Sequence, residues 1–367
     1  MKTPIIEESL QLEDQKLTFQ IGKLARSADI AVMGRVGDTC VLVTVVTAPA
    51  REDIDYLPLQ VEYAEKLYAG GRIKGSRWVK REGRSSDDAI LKARLIDRSI
   101  RPLFPKQFRK TVQIIITLLS VDGVNSPEIL AANAVSAALH CSQIPWDGPI
   151  ATSRVAYVGE NGEGTIVPHP VESEQKFSKL DLIVASTKKK VVMIETEAEE
   201  LSEDIVLDAL AVAQKENEKI IEFIESLRKK AGKPKEELKE STTDAKLETV
   251  LKGEFKTELN ELIESRASKE FEDKSVLDRL ISSVTEKYKD EFDRKSIAKT
   301  VESIIKTMIQ DSVLKSGKRI DGRGPDEIRE ITCEVSTLPR THGSAIFQRG
   351  DTQVLSIVTL GRPSLEQ

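Results

Sequence analysis

Aromatic residues make up 4% of this 367-residue sequence, cysteine and histidine occupy three positions each, and tryptophan two. Cores poor in rings must be built from Val, Ile, Leu and Ala. Cys40, Cys141 and Cys333 are far apart and form no CxxC pair, which excludes a disulfide framework and a thiolate zinc site. Each is expected to be a small buried side chain. His140, His169 and His342 are too scattered for a metal cluster. No run approaches the roughly 20 uncharged apolar residues that a bilayer span requires, and the longest, such as Ile114–Ser120, are strand-sized. The opening MKTPIIEESLQLEDQ has neither a basic nor an apolar leader segment, so no secretory signal is read and a cytoplasmic location is expected.

What is present describes a soluble globular protein, 39% hydrophobic and 31% charged, long enough for two or three domains. The formal net charge of −5 argues against a nucleic-acid partner until its distribution is considered. Between Arg72 and Arg101 ten basic residues face four acids, so one acidic protein carries one concentrated basic window. Its first half, GGRIKGSRWVKREGR, is glycine-rich and reads as a loop. Arg77, Lys80, Arg81 and Arg84 surround Trp78 there, cations for phosphates and a ring for a base, a combination suited to single-stranded RNA. Stacking on such a ring contributes on the order of 1–3 kcal/mol.

The window's second half predicts a helix that starts at the Ser85-Ser86-Asp87-Asp88 cap and stops at Pro102. Ala89, Ala93, Ile96 and Ile100 share its apolar side, and Arg94, Arg98 and Arg101 the other. Strands are predicted at KLTFQIG, DIAVMGRV, TCVLVTVVT, LPLQVEYAE and VQIIITLLSVDG, then an Ala-rich buried helix, PEILAANAVSAALHCS. Short strands over 148–166, a pair LDLIVAST and VVMIETEAEE, and a helix from Ser202 complete an α+β domain spanning 1–230. From Leu201 to Gly317 there is one proline, and the dense Glu, Lys, Leu and Ile spacing predicts an all-helical module over 235–315.

Strands return at KRIDGR, and with them a repeat. LARSADIAVMGRVGDTCVLVTVVT, from Leu24, recurs as LPRTHGSAIFQRGDTQVLSIVT, from Leu338: both carry Leu-x-Arg, then Arg-(x)-Gly-Asp-Thr, then x-Val-Leu-x-x-Val, the (x) being one residue inserted in the first copy. Residues 318–367 are therefore expected to be the truncated start of a second copy of the first domain, too short to close a core.

KREGRSSDDAILKARLIDRSIRPLFP resembles the diagnostic stretch of the first RNase PH-like domain of bacterial polynucleotide phosphorylases. KRIDGRGPDEIREI and LPRTHGSAIFQRGDTQ resemble the opening of the second. The resemblance covers the whole chain, including the helical insert. It implies an RNase PH-like (ribosomal protein S5 domain 2-like) fold, a homotrimeric ring on single-stranded RNA, and 3′→5′ phosphorolysis releasing nucleoside diphosphates in mRNA degradation. Inorganic phosphate is the implied co-substrate and Mg2+ the implied metal. The resemblance places the catalytic carboxylates beyond Gln367, leaving no metal ligands in this chain, and allows membership of an RNA-degradation complex. It assigns RNA contacts to Trp78, Lys80, Arg81, Arg84, Arg94, Arg98 and Arg101, and the active-site rim to Arg340, His342 and Arg349. The family's Asp-x-Asp-Phe-Lys motif has as its first-copy counterpart Lys179-Leu180-Asp181-Leu182-Ile183, which keeps one acid and implies a silent first copy. The alternative is a non-catalytic RNA-binding ring component.

Overall fold

Leu17 and Phe19, Val32 and Gly34, and Val41, Val43 and Val45 alternate with polar or half-exposed neighbours, so one face of each strand is apolar. The computed structural model describes residues 4–13, 15–49, 56–73, 75, 83–159, 164–238, 242–268, 273–289 and 291–362. It divides into two units, residues 1–239 and 240–367.

In the first unit β1 (Ile6–Leu12), β2 (Gln15–Ile21), β3 (Ile30–Val36), β4 (Thr39–Ala48), β5 (Leu59–Ala64) and β6 (Thr111–Ser120) form one sheet in the order β1-β2-β3-β4-β6-β5. All neighbours are antiparallel except β5 and β6. A parallel pair needs a crossover, and α1 (Asp87–Ile100) supplies it, packing on β5. The strand β1 is an addition to the sequence reading.

A second, antiparallel sheet has the order β10-β9-β7-β8, from β7 (Ala151–Val158), β8 (Thr165–Pro168), β9 (Ser178–Ser186) and β10 (Val191–Ala198). Between the sheets lies α2 (Pro127–Cys141), nearly all of it buried, touching β3, β4 and β7. Its alanines allow the close approach, and Gly34 completes it: a Cβ there would stand 3.1 Å from Leu130 and 3.3 Å from Ala134. The short α3 (Glu172–Gln175) precedes β9, and α4 (Glu203–Ala231) covers β7 and β9, its far half stacking Phe223 on Phe19.

In the second unit α5 (Thr242–Glu254), α6 (Lys256–Ser268), α7 (Asp273–Lys287) and α8 (Arg294–Ser316) enclose a core of Leu251, Leu259, Leu280, Val284, Ile297 and Ile305. After Gly317, which caps α8 in the left-handed region at φ 64°, come β11 (Ile331–Val335), β12 (Gly343–Arg349) and β13 (Thr352–Val358) in one antiparallel sheet.

The repeat is a shared meander: β2-β3-β4 corresponds to β11-β12-β13. Both hairpins turn on two residues led by a positive-φ glycine, Gly37 at 57° and Gly350 at 59°. Strand register extends the match backwards, with Leu17 opposite Val36 as Ile331 is opposite Arg349, so the segments LTFQI and ITCEV coincide. Counted from the turn, Arg349 therefore holds the place of Val36, and Gln348 that of Arg35. Their side chains agree: Arg35 Nε donates to the Gly37 carbonyl and Gln348 Nε2 to that of Gly350. The extra residue of the first copy sits in the loop before β3, not in the Arg-Val-Gly-Asp-Thr run where the sequence alignment put it. Cys333 corrects another expectation. It is exposed, whereas its counterpart Phe19 is buried under α4.

The first turn is fixed by Asp122. Its carboxylate accepts from Asp38 N (3.1 Å), Thr39 Oγ1 (2.9 Å), Val124 N (2.9 Å) and both Asn125 nitrogens (2.9 and 2.6 Å). Partial burial disfavours its charge, but the hydrogen bonds from Asn125, Val124 and Thr39 outweigh that and depress its pKa. A depressed folded pKa means stabilisation that is complete above the ordinary carboxylate value and is lost as pH falls through the folded one. Asp122→Ala is expected to cost about 2 kcal/mol at neutral pH, with the gap to the parent narrowing below about pH 4 in denaturant titrations. A gap that stays constant into strong acid contradicts this account.

Candidate RNA-binding helix and a neutralised carboxylate

The face that α1 buries decides what it can offer outside. Ala89, Ala93, Ile96 and Ile100 are buried in the core of the first unit, which turns Arg94 and Arg98 outward. The helix starts on a Ser86 cap that accepts from Ala89 N at 3.1 Å and donates to Glu65 at 3.1 Å, with Asp87 and Asp88 in the first turn.

Of the arginines expected to contact RNA, the four that are described are not equivalent. Arg84 and Arg94 are exposed and have no ion-pair partner among the described residues. Arg98 meets Glu195 at 3.0 Å, a half-exposed surface pair of the kind that contributes little and opens readily. Arg101 grips both oxygens of Asp97 (2.8 and 3.0 Å) and donates to the Leu57 and Leu59 carbonyls, so it ties the helix end to β5. Sequence periodicity grouped the three helix arginines; distant backbone carbonyls, invisible to it, separate Arg101 from the others. Trp78, Lys80 and Arg81 lie outside the described residues.

Residues 179–183, which the sequence reading sets against the family's acidic motif, lie on β9. Leu180 and Leu182 turn toward α4, while Asp181 turns into a cleft bounded by the first turn of α2 and the loop before it. There Arg154 on β7 holds Asp181 with two bonds, Nε to Oδ1 at 2.7 Å and Nη2 to Oδ2 at 3.0 Å. Its third nitrogen donates to buried Glu128 at 2.6 Å and to Ser126 at 3.1 Å. Burial disfavours the Arg154 charge, but Asp181 and Glu128 more than offset this and raise its pKa. Both Asp181 oxygens thus face a guanidinium, and Lys179 lines the same cleft and adds a positive charge. These residues do not fit a divalent ion. Among the described residues no group of three or more His, Cys, Asp or Glu is placed to hold one. Sequence reasoning found Asp181 but missed Arg154, which lies 27 positions away and carries no motif.

In the second unit Arg340, His342 and Arg349 are exposed. His342 Nδ1 accepts from Leu360 N at 2.9 Å, which places a ring proton on Nε2. The first copy has the same latch, Asp29 accepting from Thr47 N at 2.6 Å at matching positions. Arg349 takes the strand position of Val36, a residue that lines the cavity shared with Arg154 and His169.

The layered α+β architecture with a repeated Gly-Asp-Thr meander defines an RNase PH-like protein. A family model described as "3′ exoribonuclease family, domain 1" matches residues 13–145 and again 327–367, and "3′ exoribonuclease family, domain 2" matches 148–216. The chain belongs to this 3′ exoribonuclease family. It is 42% identical to a polyribonucleotide nucleotidyltransferase of Halothermothrix orenii over 96% of its own length and 51% of the relative's. Proteins of the same name from Caldicellulosiruptor saccharolyticus (43%, covering 96% and 50%) and Thermus thermophilus (42%, covering 98% and 51%) are similar to it. The chain spans about half the length of these curated relatives.

Removing Arg154 leaves two carboxylates facing each other at a partly buried site. Arg154→Ala is expected to lower unfolding stability by on the order of 3 kcal/mol, with Arg154→Lys recovering part of it. Equilibrium denaturation checks this, and a loss within about 0.5 kcal/mol of zero contradicts the assignment of Arg154 as the central tie.

Proposed function

We propose that this chain is the RNA-gripping part of a 3′→5′ phosphorolytic exoribonuclease that acts in mRNA degradation and releases nucleoside diphosphates. The observation that carries the reading is 42% identity to polyribonucleotide nucleotidyltransferases over nearly the whole chain. The guanidinium groups of Arg84 and Arg94, without an ion-pair partner among the described residues, support it, since a strand with one charge per phosphate needs cations that are not already neutralised.

In this reading Arg84 and Arg94 are the principal phosphate contacts of the described region. Arg98 joins them when its surface pair with Glu195 opens, and Arg101 positions the helix. Trp78, Lys80 and Arg81 extend the same track along the preceding loop, where Trp78 offers a face for a base. The domain partition proposed is an RNase PH-like domain over 1–230, a helical spacer over 235–315 and the start of a second RNase PH-like domain over 318–367.

Chemistry is assigned to the second copy. Arg340 and Arg349 suit phosphate oxygens, and His342, its Nδ1 held by Leu360, has its Nε2–H free to donate to one. Inorganic phosphate is the attacking co-substrate. Mg2+, whose role is to offset charge on the transferring phosphoryl group, is assigned to carboxylates outside this chain, because the Asp181 site does not fit it. A homotrimeric ring in the cytoplasm, with or without an RNA-degradation complex around it, is the assembly proposed.

Phosphate-dependent release of nucleoside diphosphates from poly(A) with magnesium tests the assignment. A protein continuing this chain to the relatives' length is expected to release them, and this chain alone to release none. No release by the longer protein favours a non-catalytic ring component, and turnover by this chain contradicts a silent first copy.

A further inference from the structure

The strand β5 is an edge of its sheet, with β6 on one side and no strand on the other among the described residues. Along its open side runs a groove of about 360 Å³ between β5 and α1, walled by Val61, Ala89 and Ala93, with Arg94 and Asp97 at the rim. In a parallel pair, alternate residues direct their backbone groups at the neighbouring strand. The Pro58 carbonyl accepts from Val112 N at 3.0 Å, so the even-numbered residues of β5 face β6. The odd-numbered ones face the groove, as the capture of the Leu57 and Leu59 carbonyls by Arg101 confirms. Arg101 stops there. The N–H and C=O of Val61, next along the strand, have no partner among the described residues, and beside them stands the unpaired Arg94.

A half-buried slot with small apolar walls, one backbone donor, one backbone acceptor and a free guanidinium at its mouth has the chemistry of a nucleotide. A base has two apolar faces, and its edge carries adjacent donor and acceptor groups. Its phosphate is the natural partner of the guanidinium. We propose that the β5–α1 groove takes one base of the bound RNA strand, its edge on the Val61 amide and carbonyl and its phosphate on Arg94. The proposal rests on the RNA-binding reading given above and adds a base-edge subsite to its phosphate contacts and to the stacking face of Trp78. Since every base edge offers a donor beside an acceptor, the subsite senses that a base is present and does not select which one.

Fluorescence anisotropy of the full chain with labelled ten-nucleotide oligoadenylate, and with an abasic ribose-phosphate ten-mer, separates the two kinds of contact. The oligoadenylate is expected to bind on the order of tenfold tighter than the abasic strand. Val61→Pro removes one outward-facing N–H at an edge position where proline is tolerated, and should lower that ratio severalfold, leaving only the part owed to stacking on Trp78. Arg94→Ala should weaken both ligands alike. In the unmutated chain the Val61 amide should gain hydrogen-exchange protection with oligoadenylate and not with the abasic strand, a readout that does not depend on the variant folding. An unchanged ratio in Val61→Pro together with an unprotected Val61 amide overturns the subsite and leaves RNA binding standing. Failure of both strands to bind overturns the RNA reading itself.

Discussion

Two carboxylates from different layers, Glu128 in the first turn of α2 and Asp181 on β9, share the single guanidinium of Arg154. Much follows from that one arrangement. It fixes the second sheet against the helix that the first sheet packs on, so the two halves of the α+β unit meet through a charge cluster as well as through apolar contact. It also decides the chemistry of the cleft. A carboxylate whose charge is already offset by a guanidinium bonded to both oxygens is a weak ligand for a metal, and the neighbouring lysine adds a like charge to any ion that approaches. In the function proposed, the bonds that stabilise this copy are also what leaves phosphoryl transfer to the second copy, and the first holds the strand.

Matched positions of the two meanders carry different chemistry. Asp29 and His342 each accept from a backbone N–H at or just after the end of the last strand of the meander, Thr47 and Leu360, yet the histidine keeps a second nitrogen with no partner among the described residues, where the carboxylate offers no proton. Val36 and Arg349 occupy one strand position, apolar in the copy whose cleft is neutralised and cationic in the other. Duplication has preserved the turns, which depend on glycine at positive φ, while the side chains facing the clefts have diverged.

Much of this was legible in the sequence. The Ser86 cap, the burial of Ala89, Ala93, Ile96 and Ile100, and the Gly-Asp-Thr hairpins follow from local periodicity and turn chemistry, and the structure reproduces them. What was not legible is non-local. Arg101 lies on the predicted face of α1 but is drawn to carbonyls more than 40 positions earlier in the chain. Arg154 carries no motif, and its meaning appears only when β7, β9 and α2 converge. The inserted residue of the first copy could be assigned to the wrong segment because identity favoured aligning Arg35 with Arg349, whereas strand register, which a sequence does not display, aligns Arg35 with Gln348.

The central claim is that the first copy grips RNA through guanidinium groups that have no acidic partner among the described residues. Its most direct test is the affinity of the chain for single-stranded RNA over a range of salt concentrations, compared with an Arg84→Ala, Arg94→Ala double variant. The account predicts weaker binding and a log–log salt slope shallower by about 1.4, roughly 0.7 for each phosphate contact removed. An affinity and slope indistinguishable from those of the parent would contradict it.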